Sequence, residues 1–441
     1  MTSSVTMSEA SPVSFHIDEA KRWTHVDNIR KTPGPFTDPI AGTQEAIDQF
    51  DSIKVLVIGA GGLGCEILKN LAMSKFKDIH VIDMDTIDIS NLNRQFLFRK
   101  SDVGKFKAEV AAEFVMRRVK GVKITAHNCK IQDFDESFYK QFQMVICGLD
   151  SIEARRWINA MLVGIAEEGS DMDALIPLID GGTEGFKGQA RVIVPSLTSC
   201  IECQLDMHAP RAAVPLCTIA SIPRQPEHCI EWAHVIAWEK EKPFPKLDMD
   251  DPEHVTWLYQ KALTRAQEFN IPGVTYASTQ GVVKNIIPAI ASTNAIIAAA
   301  CCNEAFKLAS TSAPTLGMED NYMMYSGNDS IYTYTFKHEK KDDCPVCGQN
   351  ARPLEVDPTT TLQDLIDSFA VRPEAQLKKP SIRGEGKTLY MQFPPSLEEQ
   401  TRPNLEKKLA DLGLEDGQNV VVTDPAFPLE FNFFLRFKRA A

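Results

Sequence analysis

Three groups of residues in this chain can do chemistry. The first is the turn Gly59-Ala60-Gly61-Gly62-Leu63-Gly64, set directly after the apolar run Val55-Leu56-Val57-Ile58. Gly59, Gly61 and Gly64 fit G-x-G-x-x-G, a spacing that lets backbone N–H groups approach a phosphate at a helix N-terminus. Asp83 closes the next apolar run, the place where a carboxylate holds ribose hydroxyls. Alone, these parts fit a nicotinamide or flavin dinucleotide as well as any other nucleotide. The second group lies beyond them, where a triphosphate would extend. Asn91, Arg94 and Lys107 supply donors and positive charge, with Lys105 a rival to Lys107. Asp150 follows a later apolar run, Met144 to Cys147, and offers the oxygen ligand that Mg2+ prefers. Together these residues favour ATP and Mg2+ over a nicotinamide.

The third group is sulfur. Cys200-Ile201-Glu202-Cys203 and Cys344-Pro345-Val346-Cys347 are two C-x-x-C pairs, able to give a tetrahedral Zn2+ its four thiolates. Such a site has no open position, so the zinc is expected to be structural. Cys65, Cys147, Cys301 and Cys302 lie in apolar elements and read as core residues. Cys229 adjoins His228, but catalytic partners are normally distant in sequence. Cys217 sits in the small-residue segment from Pro215 to Arg224. Composition alone leaves it open between a buried thiol and a nucleophile.

The elements that must position these groups follow from the hydrophobic pattern. Strand, glycine turn, helix (Glu66 to Met73) and strand (Ile79 to Asp83) make a βαβ unit with a parallel sheet. A helix from Lys105 to Val119, strands Lys123 to His127 and Met144 to Cys147, and a helix from Ser151 to Ala166, N-capped by Ser151, extend a doubly wound α/β domain. Strands Leu175 to Asp180 and Gln189 to Val194 follow. Residues 205–285 change texture and predict two amphipathic helices, Glu227 to Lys240 and Glu253 to Phe269, in an inserted segment. A helix from Asn285 to Leu308 and strands between Tyr322 and Phe336 return to the first domain. The remainder predicts a small β-grasp unit, with helices Thr359 to Phe369 and Asn404 to Leu412 and strands Thr388 to Phe393, Val420 to Val422 and Leu429 to Phe437. The expected division is an arm at 1–50 (the first ~20 residues too polar and small to fold), adenylation parts at 51–204 and 286–347, a cysteine-bearing insertion at 205–285 and a terminal domain at 348–441.

Bulk composition narrows the function classes. A net charge of −12 argues against general nucleic-acid binding. The first 20 residues lack the apolar core of a signal peptide. The most apolar stretch, 286–309, contains Pro288, Asn294 and Asn303, so it reads as a buried helix, not a membrane span. Eleven cysteines without a secretory signal point to a reducing compartment, cytoplasmic or nuclear.

The glycine turn, the run from Asp83 to Asn91-Leu92-Asn93-Arg94-Gln95, Lys107 and Gly148-Leu149-Asp150-Ser151 resemble the adenylation domain of ubiquitin-like-protein activating enzymes, which bacterial MoeB and ThiF proteins share. The resemblance implies a Rossmann-like adenylation domain, a helical catalytic-cysteine insertion and a C-terminal ubiquitin-like β-grasp domain. It assigns Asp83 to ribose, Asn91, Arg94 and Lys107 to phosphates, Asp150 to Mg2+, and the paired C-x-x-C motifs to zinc. The segment from Cys217 through Cys229 to Trp232 resembles the catalytic-cysteine region of the branch acting on NEDD-type modifiers. This implies Cys217 as the nucleophile that takes the modifier as a thioester. The implied partners are a regulatory adenylation-like subunit that supplies an Arg, the modifier, and a conjugating enzyme recruited by the tail domain. The resemblance also implies that Arg191 disfavours a modifier tail bearing its own arginine. SUMO activation, an NAD-dependent oxidoreductase and a non-catalytic scaffold are the alternatives.

Overall fold

A computed structural model describes residues 19–169, 174–208, 223–244, 247–248, 251–283, 289–348, 350–357, 359–372, 375–384 and 386–438. Cys217 and residues 1–18 lie outside the described residues. The central strand β1 (Lys54–Ile58) is apolar along its length because both of its faces are covered. Parallel partners flank it: β2 (Asp78–Ile82) and then β3 (Lys123–His127) on one side, β4 (Met144–Cys147) and then β5 (Leu178–Glu184) on the other. Antiparallel strands β6 (Lys187–Ile193), β7 (Tyr322–Ser326) and β8 (Tyr332–Phe336) complete the order β3-β2-β1-β4-β5-β6-β7-β8. The chain therefore reverses its direction of travel across the sheet between β1 and β4, which opens a crevice at their carboxyl ends.

Alternation along β1 divides the core. Val55 and Val57 face helices Gly62–Met73, Lys107–Arg118 and Ala291–Ser310. Leu56 and Ile58 face helix Ile152–Glu168 and the C-x-x-C cysteines. Ser151 caps this last helix by accepting from Ala154 N at 3.3 Å, as its sequence suggests. Between β6 and helix Ala291–Ser310 the chain forms a helical insertion. It runs through Pro226–Glu231, a π-helical turn Trp232–Ala237, Trp238–Glu241 and Pro252–Glu268. Cys229 is fully buried there with Ile230, Ala233, Leu258 and Ala262. Among the described residues no helix is long and apolar enough to cross a membrane.

The terminal unit is a five-stranded mixed sheet. Its strands are β9 (Arg352–Val356), β10 (Ser381–Gly384), β11 (Lys387–Tyr390), β12 (Asn419–Thr423) and β13 (Glu430–Phe437), in the order β11-β10-β12-β13-β9. Helix Leu362–Val371 packs on it, with Thr361 and Asp364 forming a capping box. The helix expected from Asn404 to Leu412 is absent. Its leucines sit at helical spacing, but the carbonyls of Leu405 and Lys407 accept from Gln363 and Leu362 N–H instead of closing helical turns. Strand β9 escapes the pattern because it holds Pro353, which an edge position tolerates.

One buried cation joins the two sheets. Arg156, 1 % exposed, pairs with Glu202, donates to Ala375 O at 2.9 Å and Gln376 O at 3.1 Å, and lies over the Phe427 ring at 4.1 Å. A second link, Lys378 to Glu153, is solvent-exposed. Removing one member of a buried pair costs about 3–5 kcal/mol, an exposed pair about 0–1 kcal/mol. Arg156→Met should therefore speed proteolytic release of the terminal domain and lower the melting temperature. Lys378→Ala should leave both nearly unchanged in the same limited-proteolysis assay.

Candidate functional site

The glycine turn is held where strand tips meet. Gly59 N–H donates to Ile82 O at 2.8 Å and Gly148 N–H to Ile58 O at 2.9 Å, so the ends of β1, β2 and β4 share backbone bonds. Gly59 has φ +99°, and a Cβ on Gly64 would lie 1.9 Å from Gly59 O. Neither position has room for a side chain. Helix Gly62–Met73 starts inside this turn, and its first N–H groups face the crevice with partial positive charge.

Asp83 pins the turn from β2. One carboxylate oxygen accepts from Ala60 N at 2.6 Å, the other from Asp85 N at 2.9 Å. Burial pushes its pKa up, against the two backbone donors that favour the charged form. Lys107, largely buried, reaches Asp85 at 2.8 Å. Lys105 is 58 % exposed and pairs with Asp102 outside the crevice, which separates the two lysines that spacing left open. Asn91 Oδ1 accepts from Asp88 N at 3.0 Å and so shapes the short 3-10 turn Ile89–Asn93. Arg94 follows that turn. Its Nη1 bonds Asn93 Oδ1 at 3.0 Å, and its Cγ lies within 3.5 Å of the space a Gly62 side chain would fill. Asp150, exposed, stands at the end of β4. Gly59, Gly61, Gly64, Asp83, Asn91, Arg94, Lys107 and Asp150 thus share one crevice edge.

Two more residues reach this edge: Gln95, the last of the Asn91 to Gln95 run, and Asn294, which the sequence reading did not place there. Gln95 is 3 % exposed, with Oε1 unpartnered and Nε2 against Gly61. Asn294, from helix Ala291–Ser310, accepts from Thr183 Oγ1 at 2.7 Å, and its Nδ2 lies 2.4 Å from where a Gly62 Cβ would be. The one available signal was the second glycine of Gly61-Gly62, which the fingerprint does not require. Arg191 lies on β6, the strand expected for it. It is fully buried, ion-paired with Asp180 at 2.9 Å and bonded to Gln204.

The four expected metal ligands converge on the far face of the sheet. Cys200, Cys203, Cys344 and Cys347 are buried, with Sγ atoms all within 4.8 Å of one another. The contacts are 3.6 Å for Cys200–Cys344, 3.5 Å for Cys203–Cys347 and 3.9 Å for Cys200–Cys203. Tetrahedral zinc with Zn–S near 2.3 Å requires sulfurs about 3.8 Å apart, whereas a disulfide requires about 2.05 Å. Burial pushes the Cys200 thiol up, while hydrogen bonds from its three neighbours pull Cys203 down toward thiolate. Lys341 N–H also donates to Cys203 Sγ at 3.4 Å. The donor set suits a soft, closed metal site. Burial raises the thiols of Cys147 and Cys301, and those of Cys65 and Cys302 to about 12, as inert core cysteines require.

Comparison with known proteins bears on this arrangement. The ThiF family model matches residues 39–346, and the E2 binding domain model matches residues 355–437. The NEDD8-activating enzyme E1 catalytic subunit of Dictyostelium discoideum is 53% identical over 437 residues, covering 96% of this chain and 98% of that protein. The Drosophila melanogaster protein of the same name is 51% identical, covering 98% of each. SUMO-activating enzyme subunit 2 of Dictyostelium discoideum matches at 46% over only 44% of this chain and 28% of its own length. With both domain models in place and end-to-end similarity to these relatives, the chain belongs to the ThiF family and, within it, to the NEDD8-activating enzyme E1 catalytic subunits.

Proposed function

We propose that this chain adenylates the C-terminal glycine of a NEDD8-type modifier with ATP, takes the modifier as a thioester on Cys217 and passes it to a conjugating enzyme. The observation that supports this reading is the glycine turn pinned by Asp83, with the cations Arg94 and Lys107 beside it and the exposed Asp150 just past the neighbouring strand. A nicotinamide needs no cations beyond the ribose position, and the SUMO-type relative covers too little of the chain to compete.

In this reading Gly59, Gly61 and Gly64 admit the phosphates to backbone N–H groups. Asp83 accepts from the ribose hydroxyls with lone pairs its two backbone donors leave over. Arg94 and Lys107 face the triphosphate, and Asn91 holds the turn that aims Arg94. Lys107 exchanges Asp85 for phosphate when the nucleotide arrives. Asp150 offers an oxygen to Mg2+, which when bound to the nucleotide offsets its negative charge. A modifier carboxylate oxygen attacks the α-phosphorus, the bond to the bridging oxygen breaks and pyrophosphate leaves. The Cys217 thiolate then attacks the acyl carbon, and AMP departs with the oxygen that the carboxylate contributed. Positioned cations matter because negative charge gathers at phosphorus in the first step.

The four cysteines hold Zn2+ as a cross-link between the segments around residues 200 and 345. The division into two adenylation parts, a cysteine-bearing insertion and a terminal domain follows the same reading. A regulatory adenylation-like subunit completes the crevice with an Arg, and the terminal domain recruits the conjugating enzyme, in keeping with the E2 binding match. The compartment is reducing, cytoplasmic or nuclear, so the thiols persist.

With the regulatory subunit, Mg-ATP and modifier, a reducible adduct should appear on a non-reducing gel. Cys217→Ala should abolish it yet retain ATP–pyrophosphate exchange. Arg94→Ala or Asp150→Ala should lower exchange by about 10²–10³-fold, the usual loss for one positioned electrostatic group. Nicotinamide binding without exchange, or an adduct surviving Cys217→Ala, would overturn the reading. Metal analysis of purified protein should find one zinc per chain. Cys344→Ser should lose it and lower the melting temperature, whereas replacing zinc by cadmium should leave exchange unchanged. A rate that follows the identity of the metal would place the cluster in the chemistry.

A further inference from the structure

One arginine touches the candidate crevice without belonging to it. Arg155 lies in the first turn of helix Ile152–Glu168 and is buried. Its Nη2 donates to Leu149 O at 2.5 Å and to Gly181 O at 2.9 Å, and its Nε donates to Asp180 Oδ1 at 2.8 Å. One side chain therefore binds the segment just past β4 to the middle of β5. Its counter-ion is held in turn. Arg191 takes the other Asp180 oxygen and bonds Gln204, the residue after Cys203, and Gln204 Nε2 donates to Ser199 Oγ at 3.1 Å. Burial opposes the Asp180 charge, but the two guanidiniums prevail and keep its carboxyl below the ordinary range. The bracket is thus ionised and rigid.

Leu149 immediately precedes Asp150. A peptide unit is planar, so fixing the Leu149 carbonyl also fixes the Asp150 N–H and Cα. Gly148 N–H on Ile58 O and the Ser151 cap hold the chain on either side, and Arg155 holds the peptide between residues 149 and 150. Asp150 is exposed, and the backbone at 149–150 sets the direction in which its side chain leaves the chain, with the Arg155 charge close enough to be felt. A metal ligand must be held within roughly 0.5 Å and 10–20° of its working geometry.

We propose that Arg155 is the positioning residue for Asp150, turning the peptide between residues 149 and 150 so that the Asp150 carboxylate points to the Mg2+ of bound ATP. The inference rests on the adenylation reading above. Arg155 also feels the Asp150 charge directly, and a lysine in its place keeps that charge while releasing the carbonyl.

The test is a double-mutant cycle in binding, which needs no turnover. ATP affinity is titrated calorimetrically on the full chain with its regulatory subunit, in Mg2+ and in EDTA, and the ratio of the two is the Mg2+ benefit. Arg155→Lys keeps the charge beside Asp180 but cannot span both carbonyls. It should cut the Mg2+ benefit at least fivefold while the affinity in EDTA stays within twofold. In an Asp150→Ala background the same substitution should change nothing further, because coupled residues are not additive. A folded Arg155→Lys protein with an unchanged Mg2+ benefit, equal losses in Mg2+ and EDTA, or additive losses in the double variant would each overturn the inference. If Arg155→Lys does not fold, Asp180→Asn, which still offers Arg155 an acceptor, should give the same Mg2+-selective loss. If Asp150→Ala itself leaves the Mg2+ benefit intact, the assignment of Asp150 fails. If only the Arg155 effect is missing, the adenylation reading stands and this inference alone falls.

Discussion

A carbonyl oxygen, Gly59 O, occupies the space that any side chain on residue 64 would need. This contact lets the chain leave β1, reverse and enter helix Gly62–Met73 within a few residues, with free N–H groups aimed into the crevice. The other site residues take their places relative to it. Asp83 accepts from Ala60 inside the turn, Arg94 lies alongside Gly62, and Asp150 follows a strand whose Gly148 packs on the same loop. A turn widened by one methyl would separate the strand tips, and no compensation elsewhere in the sheet would bring them back together.

The charges are distributed to match. The crevice cations Arg94 and Lys107 are held by small or partly exposed partners, Asn93 and Asp85. Those inside the protein, Arg155, Arg156 and Arg191, are each paired with a buried carboxylate or share one. Buried ion pairs seldom add much net stability, because desolvation offsets their attraction. Their value here is directional. Arg155 ties the end of β4 to the middle of β5, and Arg156 seats the terminal domain on the first through two carbonyls and a ring face. The four-cysteine cluster lies between these brackets, since Glu202 and Gln204 flank Cys203 and serve one arginine each.

Much of this was legible from residue types and spacing. The parallel strands read clearly because burial on both faces makes them continuously apolar, the glycine turn and Asp83 meet at the ends of β1 and β2, and both C-x-x-C pairs converge in one cluster. What stayed hidden depends on distant contacts. Asn294 enters the site through a close approach to Gly62 that leaves only the doublet Gly61-Gly62 as a trace. The Asn404 to Leu412 leucines mimic a helix while their carbonyls serve another segment. Arg191 looked available because sequence does not reveal that Asp180 and Gln204 already hold it. Lys105 and Lys107 could be told apart only once Asp102 and Asp85 were seen to claim one each.

The central claim is that a protein carboxylate is joined to the α-phosphorus of ATP at this crevice, and oxygen tracing tests it most directly. A modifier labelled with 18O in its C-terminal carboxylate is run through one cycle with ATP, the regulatory subunit and this chain, and the nucleotide products are weighed by mass spectrometry. The account predicts one 18O atom in AMP and none in pyrophosphate. Label in inorganic phosphate, or AMP without label while thioester forms, would contradict it.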